Sequence, residues 1–246
     1  MSGLTFTPLG VGDAFTAKYY SVSTVIEAEG ATLLVDCPHP IRKMMAESEI
    51  DIDVPDLTGV ILTHLHGDHV SGLEGLAFFN HFVCKRALPL LAHPEVVAPL
   101  WHRHLEASMS CLIHPTDHHP MPEKGFADYF DHTPLSLTSS VQFGPFTIEC
   151  RRTIHHIFTT ALRITAGGRT LGMSADTAFD PGLLEWLSAA DVIIHETNYG
   201  AHTPYERLAE LPADLRAKMR LHHYPDDFDV SASVIEPLVQ GRRYSA

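Results

Sequence analysis

Cysteine is scarce. Cys37, Cys84, Cys111 and Cys150 are the only four in 246 residues, and their spacing forms neither a CxxC pair nor a zinc knuckle. A disulfide framework is thereby excluded, and the four are read as reduced, mostly buried thiols. Long apolar runs are missing too. No stretch approaches the ~20 residues that span a bilayer, and Met1-Ser2-Gly3-Leu4-Thr5 has neither the basic nor the apolar stretch of a signal peptide. The expectation is a cytoplasmic chain with no membrane partner. Basic residues are few, with 17 Lys plus Arg against 30 Asp plus Glu, a formal charge of −13 with neutral histidines. Such a surface repels a polyanion, because nonspecific nucleic-acid binding rests on phosphate neutralisation. A nucleic-acid polymer is disfavoured as partner and a small-molecule substrate is favoured. With 45% hydrophobic and 19% charged residues the class is soluble globular, and residues 1–246 are read as one domain. What is abundant is histidine, at 18 residues.

The histidines concentrate in Thr63-His64-Leu65-His66-Gly67-Asp68-His69. This stretch follows the apolar run Val60-Ile61-Leu62, short enough for a buried strand, and precedes Val70 to Leu76, which can start a helix. On an extended backbone alternate side chains share a face, so His64 and His66 can reach one ion. Gly67 is expected to let the chain turn sharply, after which Asp68 and His69 can face a second ion. Imidazole and carboxylate donors suit zinc, with iron or manganese also tolerated.

The string HLHGDH resembles the HxHxDH signature of the metallo-β-lactamase superfamily. The resemblance implies an α/β fold, the αββα sandwich of two mixed β-sheets flanked by helices, with two metals at one edge. It extends over about residues 4–225. Strands are read at 4–9, 21–28 and 31–36, with a Glu29-Gly30 hairpin turn between the last two. The glycines of Leu9 to Asp13 are read as a loop at the rim of the site. Asp36 ends a strand at the same edge, and the resemblance implies that it supports the metal ligands. Residues 40–50 look helical and Leu88 to Ala92 strand-like. Pro94 to Leu112 carries Val97, Leu100, Trp101, His104, Leu105 and Met109 at helical spacing. Residues 113–134 are rich in Pro and His and read as a long loop with at most a short helix around Phe126 to Phe130. Within it only His114 and His118 have a spacing that suggests ligands. Segment 94–134 as a whole is expected to be lid-like and to shape the pocket.

The remaining ligands are sought further on. A hairpin turn at Phe143 to Phe146 feeds a strand ending at His155-His156, either of which offers an imidazole. In the phosphodiesterase and ribonuclease Z branches the ligand histidine stands eight residues before a basic residue, which matches Arg163 and selects His155. Arg169 to Thr177 resembles a strand ending in Gly-Asp-Thr, with Ala175 for the glycine, and makes Asp176 the carboxylate bridging both ions. Ala190 to Thr197 resembles the His-Glu-Ala-Thr strand, where His195 and Glu196 are read as orienting groups. Ala201-His202-Thr203 resembles a His-Ser-Thr loop and makes His202 a candidate general acid. Met219 to Pro225 resembles the last ligand strand, with His223 selected over His222. The implied set is His64, His66 and His155 on one ion, Asp68, His69 and His223 on the other, and Asp176 between them. Asp68 and His202 are the candidate catalytic groups.

Two adjacent divalent ions, Zn2+ before Mn2+ or Fe, generate a bridging hydroxide at neutral pH, so a metal-dependent hydrolase is expected. Ribonuclease Z proper carries a tRNA-binding arm between its third histidine and the bridging aspartate, but here that interval is 21 residues. The resemblance therefore points to the ribonuclease Z and phosphodiesterase-like branch without the arm, and to a small phosphodiester such as a cyclic nucleotide. The alternative is a thioester or lactone hydrolase. Lactonases of this fold carry a tyrosine a few residues after the bridging aspartate, whereas Phe179 stands there and offers no hydroxyl. A diiron redox or binding role is the remaining class, and the resemblance also allows a homodimer.

Overall fold

Short runs that are buried along most of their length make the central strands here. A computed structural model describes residues 3–246. The first sheet contains β1 (Thr5–Gly10), β2 (Ser23–Ala28), β3 (Ala31–Val35), β4 (Gly59–Ile61), β5 (Leu88–Ala92) and β6 (Phe130–Pro134). The second contains β7 (Val141–Phe143), β8 (Phe146–Arg152), β9 (Thr160–Ala166), β10 (Arg169–Met173), β11 (Val192–Glu196), β12 (Met219–His222) and β13 (Glu236–Pro237), while β14 (Tyr244–Ser245) returns to pair with β1. Each sheet has seven strands, in the orders β14-β1-β2-β3-β4-β5-β6 and β13-β12-β11-β10-β9-β8-β7. In each, antiparallel hairpins give way to parallel strands, from β3 to β6 in one and from β10 to β13 in the other. This is the αββα sandwich of the metallo-β-lactamase fold.

Alternation divides the apolar side chains between two layers. Ile26, Leu33, Val35, Ile61 and Leu91 meet Ile148, Ile164, Leu171 and Ile193 between the sheets. Their neighbours Val25, Leu34, Val60 and Leu90 point the other way and pack with Met44, Met45, Leu73 and Leu76 of the outer helices. Each fully buried Leu or Ile contributes about 1.5–3 kcal/mol relative to exposure. The β2–β3 hairpin turns through Glu29 (φ 50°) and Gly30 (φ 82°), both left-handed as a two-residue hairpin turn of this kind requires.

Parallel strands deliver their carboxyl ends to one edge. Asp36 follows β3, His64 follows β4, Asp176 follows β10, Glu196 ends β11 and His223 follows β12. Asp36 (φ 59°), Ala175 (φ 49°) and His223 (φ 54°) all adopt left-handed backbone there. Such a conformation costs an L-residue roughly 1–2 kcal/mol, so strain gathers where the strands hand over to the site.

Several sequence expectations are corrected. The helix read at 40–50 is Ile41–Ala46, stopped where both the amide and the hydroxyl of Ser48 turn back to the Met45 carbonyl. Gly67 has no positive φ and nothing within 4 Å of a built Cβ, so it is not what turns the chain. The turn is a helix start at Gly67–Val70 with His66 extended as its N-cap. In Pro94–Met109 the helix passes through a π-helical turn, Trp101–Leu105, which widens the spacing so that Val96, Leu100, Trp101, Leu105 and Met109 are buried. Val97 is only half-buried and His104 is exposed. Residues 130–134, read as loop, form edge strand β6 on β5. Among the described residues no helix is long and apolar enough to cross a membrane.

Gly72 and Gly75 provide a paired test of this packing. A Cβ on Gly72 would lie 2.5 Å from the Pro38 carbonyl oxygen, whereas one on Gly75 would meet nothing within 4 Å. Gly72→Ala is expected to lose about 1–3 kcal/mol from overpacking, and Gly75→Ala to gain about 0.5–1 kcal/mol from helix propensity. Urea denaturation of both variants checks the contrast; equal effects would contradict it.

Candidate metal centre

Beside a three-residue group of Glu196, His202 and His223, two larger donor groups sit side by side at the carboxyl edge. His64, His66, His155 and Asp176 form one, and Asp68, His69, Asp176 and His223 the other, with the potential ligand atoms of each group within 4.8 Å of one another. In the first, His64 Nε2 and His155 Nε2 lie 3.2 and 3.0 Å from His66 Nδ1 and 3.7 and 3.5 Å from Asp176 Oδ2. In the second, His69 Nε2 is 3.2 Å from Asp176 Oδ1 and 3.5 Å from Asp68 Oδ2. His223 Nε2 is 3.2 Å from Asp68 Oδ2 and 3.6 Å from Asp176 Oδ2. Tetrahedral zinc with bonds of about 2.0–2.1 Å would have donor-to-donor edges of roughly 3.3–3.4 Å. The donor set fits such an ion in both groups.

Hydrogen bonds aim the donors. Asp36 Oδ1 accepts from the Thr63 amide and Oδ2 from the Thr63 hydroxyl, each at 2.8 Å. Because the Thr63 hydroxyl donates to Asp36, the 3.0 Å contact to His64 runs from His64 Nδ1–H to Thr63 Oγ1. The same Asp36 Oδ2 accepts from His69 Nδ1–H at 2.8 Å. One carboxylate therefore fixes both tautomers and leaves Nε2 of each ring toward the cluster. His69 Nε2 is buried and has no partner of hydrogen-bond geometry despite its nearness to Asp176. A buried polar atom held this way is what a cation would satisfy.

Charge supports the same fit. Burial pushes His64 well below its ordinary pKa and His155 down to about 4, which keeps their lone pairs available. Burial also opposes charge on His223, yet Asp176, Asp68 and Glu196 outweigh it and lift the ring to about 10. His69 is raised for the same reason by Asp176 and Asp36. Protons on these rings offset crowded carboxylates in the metal-free chain, a task dications perform when bound.

Other residues settle around this cluster. His156 stacks on His155 at 5.1 Å but is exposed and stays out of the donor groups. His222 is buried on the side of Thr24, Asp36 and Thr63, with neither ring nitrogen partnered. Glu196 touches His202 Nδ1 at 2.9 Å and lies 3.4 Å from His223 Nδ1, while His195 bonds only the Glu196 carbonyl. His202 also stands 4.0 Å from Asp176. His114 pairs with Asp117 on an exposed loop away from these groups.

A cavity of about 610 Å³ opens over the cluster. Its walls come from Asp13, Ala14 and Phe15 on one loop and Asn198, Tyr199 and Gly200 on another. None of residues 94–134 lines it, so the expectation that this segment shapes the pocket is corrected: its helices pack on the outer face of the first sheet. The wall residues lack periodic or motif signals; Gly10 and Gly12, read as marking a rim loop, are the only hint of them in the sequence.

A family model described as Anti-Pycsar protein Apyc1 matches residues 4–237. The chain is similar to the Anti-Pycsar protein Apyc1 of Paenibacillus sp. (strain J14), at 32% identity over 231 residues covering 90% of this chain and 89% of that protein. It is also similar to the protein of the same name from Bacillus phage 010DV004, at 29% identity over 265 residues covering 98% of each. Among solved structures it resembles the metallo-β-lactamase fold protein YhfI from Bacillus subtilis, with a TM-score of 0.77, 19% identity and 100% coverage of both chains. That likeness shows the fold.

The charge pattern predicts the stability of the metal-free protein. Folded His155 stays neutral down to about 4, below its ordinary 6.5, so its contribution is complete above pH 6.5 and is lost as pH falls toward 4. Folded His223 titrates at about 10, so its contribution is complete below pH 6.5 and is lost as pH rises through 10. Urea denaturation of chelator-treated protein is expected to show a maximum near pH 6.5 with decline on both sides. His223→Asn should shrink the alkaline limb and leave the part that His69 supports; a monotonic wild-type profile would contradict the assignment.

Proposed function

This chain belongs to the Anti-Pycsar protein Apyc1 family, and from that premise we propose that it is a dinuclear-metal phosphodiesterase acting on a small cyclic nucleotide. The observation that carries this reading is the pair of donor groups sharing Asp176 at the floor of a cavity that Asp68 and His202 also line. His64, His66 and His155 would hold one ion, Asp68, His69 and His223 the other, and Asp176 both. Zinc, or manganese or iron, would supply Lewis-acid chemistry there, lowering the pKa of water and neutralising phosphate charge.

The chain's own groups handle the protons. In the metal-free chain Asp68 Oδ2 accepts from His223 Nε2–H; with that oxygen turned to the ion, Oδ1 would be left to take the proton of the attacking water. In the metal-free chain burial opposes its ionisation, but the His223 hydrogen bond and nearby His69 hold it below the usual carboxylate range; a bound dication would favour the same proton-accepting form. His202 bonds Glu196 through Nδ1, leaving Nε2 to donate to the departing oxygen. Although burial disfavours its charge, the Glu196 carboxylate lifts its pKa above the ordinary value and favours the protonated acid. These shifts favour opposite protonation states for Asp68 and His202 within one cavity, as transfer between an attacking and a leaving oxygen requires. Phe179, the residue in the lactonase tyrosine's neighbourhood, is covered by the Arg207 guanidinium at 4.0 Å and does not line the cavity.

Hydrolysis by zinc-loaded protein should be compared for a 3′,5′-cyclic nucleotide, bis(p-nitrophenyl) phosphate, p-nitrophenyl acetate and a thioester. The phosphodiesters are expected to be preferred, with His202→Ala lowering kcat about 10²–10⁴-fold at unchanged metal content. Asp68→Ala should lose more, because it also removes a donor. Preference for the ester or thioester would replace this reading with the acyl alternative.

A further inference from the structure

Two large aromatic side chains stand at the cavity rim with most of their surface in water. Phe15 is 92% exposed and Tyr199 66%, and both line the cavity above the donor groups. An exposed phenylalanine is ordinary on a mobile loop, but this loop is tied down. Buried Asp13 accepts from the Phe15 amide at 2.9 Å through one oxygen and from Asn198 Nδ2 at 3.1 Å through the other. Asn198 Oδ1 in turn accepts from the Tyr199 amide at 2.7 Å. One carboxylate and one carboxamide therefore fix the backbone of both aromatics across the cavity. Beyond Phe15, Asp226 accepts from the Thr16 hydroxyl at 2.6 Å and the Ala17 amide at 2.7 Å. The Tyr199 hydroxyl donates to Asp227 at 3.2 Å, which anchors that ring at its far end. Their cavity-lining neighbours are the small residues Ala14 and Gly200, which leave the ring faces accessible.

The cavity is thus polar at its floor and aromatic at its rim. An occupant that matches both has an anionic end and a flat apolar end. We propose that Phe15 and Tyr199 are the base-recognition residues of this site, stacking the nucleobase of a nucleotide whose phosphate lies over the donor groups. The inference rests on the phosphodiesterase reading for the position of the phosphate. Stacking needs only a π-face, and aromatic side chains carried on a fixed backbone lose little freedom on binding. Asp13 and Asn198 are positioning residues in this scheme, acting through the two loops.

The test compares kcat/KM for adenosine 3′,5′-cyclic monophosphate with that for the base-free 1-deoxyribose 3,5-cyclic phosphate, using the zinc-loaded full chain. The ratio of the two is expected to fall about tenfold in Phe15→Ala and in Tyr199→Ala, within the range that stacking of one base commands. Phe15→Trp and Tyr199→Phe should restore most of it. An unchanged ratio overturns the proposal, and if Phe15→Ala also shifts the elution volume from dimer to monomer, the ring belongs to a contact between copies. If wild type cleaves neither compound, the phosphodiesterase reading has failed on its own. Calorimetric binding of adenosine 5′-monophosphate then decides: about tenfold weaker binding by Phe15→Ala supports the stacking assignment, and equal or absent binding overturns it.

Discussion

A single buried carboxylate organises this molecule. Asp176 lies between 3.2 and 3.7 Å from the inward-facing nitrogens of His64, His69, His155 and His223. Burial disfavours its charge, yet His223 and His69 above all hold it ionised, well below the usual carboxylate range. His64 and His69 come from the turn after β4 of the first sheet, whereas His155, Asp176 and His223 come from segments of the second. The shared anion therefore joins the two halves of the sandwich at the edge where their parallel strands end. Left-handed backbone at Asp36, Ala175 and His223 is the local strain that this convergence imposes.

The same arrangement bears on how so acidic a chain would take the anionic substrate proposed for it. Asp36, Asp68, Asp176 and Glu196 crowd about the donor rings, and the formal charge of the whole protein is −13. That field disfavours a phosphate, and dications in the donor groups would reverse it. Protonated His69 and His223 are a partial substitute in the metal-free chain, and the metal-bound state would replace a dispersed positive charge by two concentrated ones. Affinity for an anionic ligand is on this account a property of the loaded protein.

Much of the donor cluster was legible because its members stand at or just past strand ends that carry known motifs. HLHGDH lies after Val60-Ile61-Leu62, and Asp176 and His223 also lie just past strands, where alternation and a known motif act together. The choice of His155 over His156 needed the distance to Arg163, since periodicity at a strand end does not say which of two adjacent histidines turns inward. Other features left weaker traces. Edge strand β6 pairs with β5 alone, and its sequence Phe-Asp-His-Thr-Pro has little alternation to betray it. The π-helical turn at Trp101–Leu105 shifts the buried stripe by about a residue, which no regular period anticipates. The cavity walls were hidden most deeply. Asp13, Asn198, Phe15 and Tyr199 belong to loops, and what makes them a unit is a hydrogen bond between residues 185 positions apart.

The metal stoichiometry of wild type and Asp176→Ala, measured by native mass spectrometry after zinc loading, bears most directly on the shared carboxylate. The account predicts two zinc ions per wild-type chain and loss of at least one from the variant, with its circular dichroism unchanged. Two ions retained by Asp176→Ala, or none held by the wild type, would contradict it.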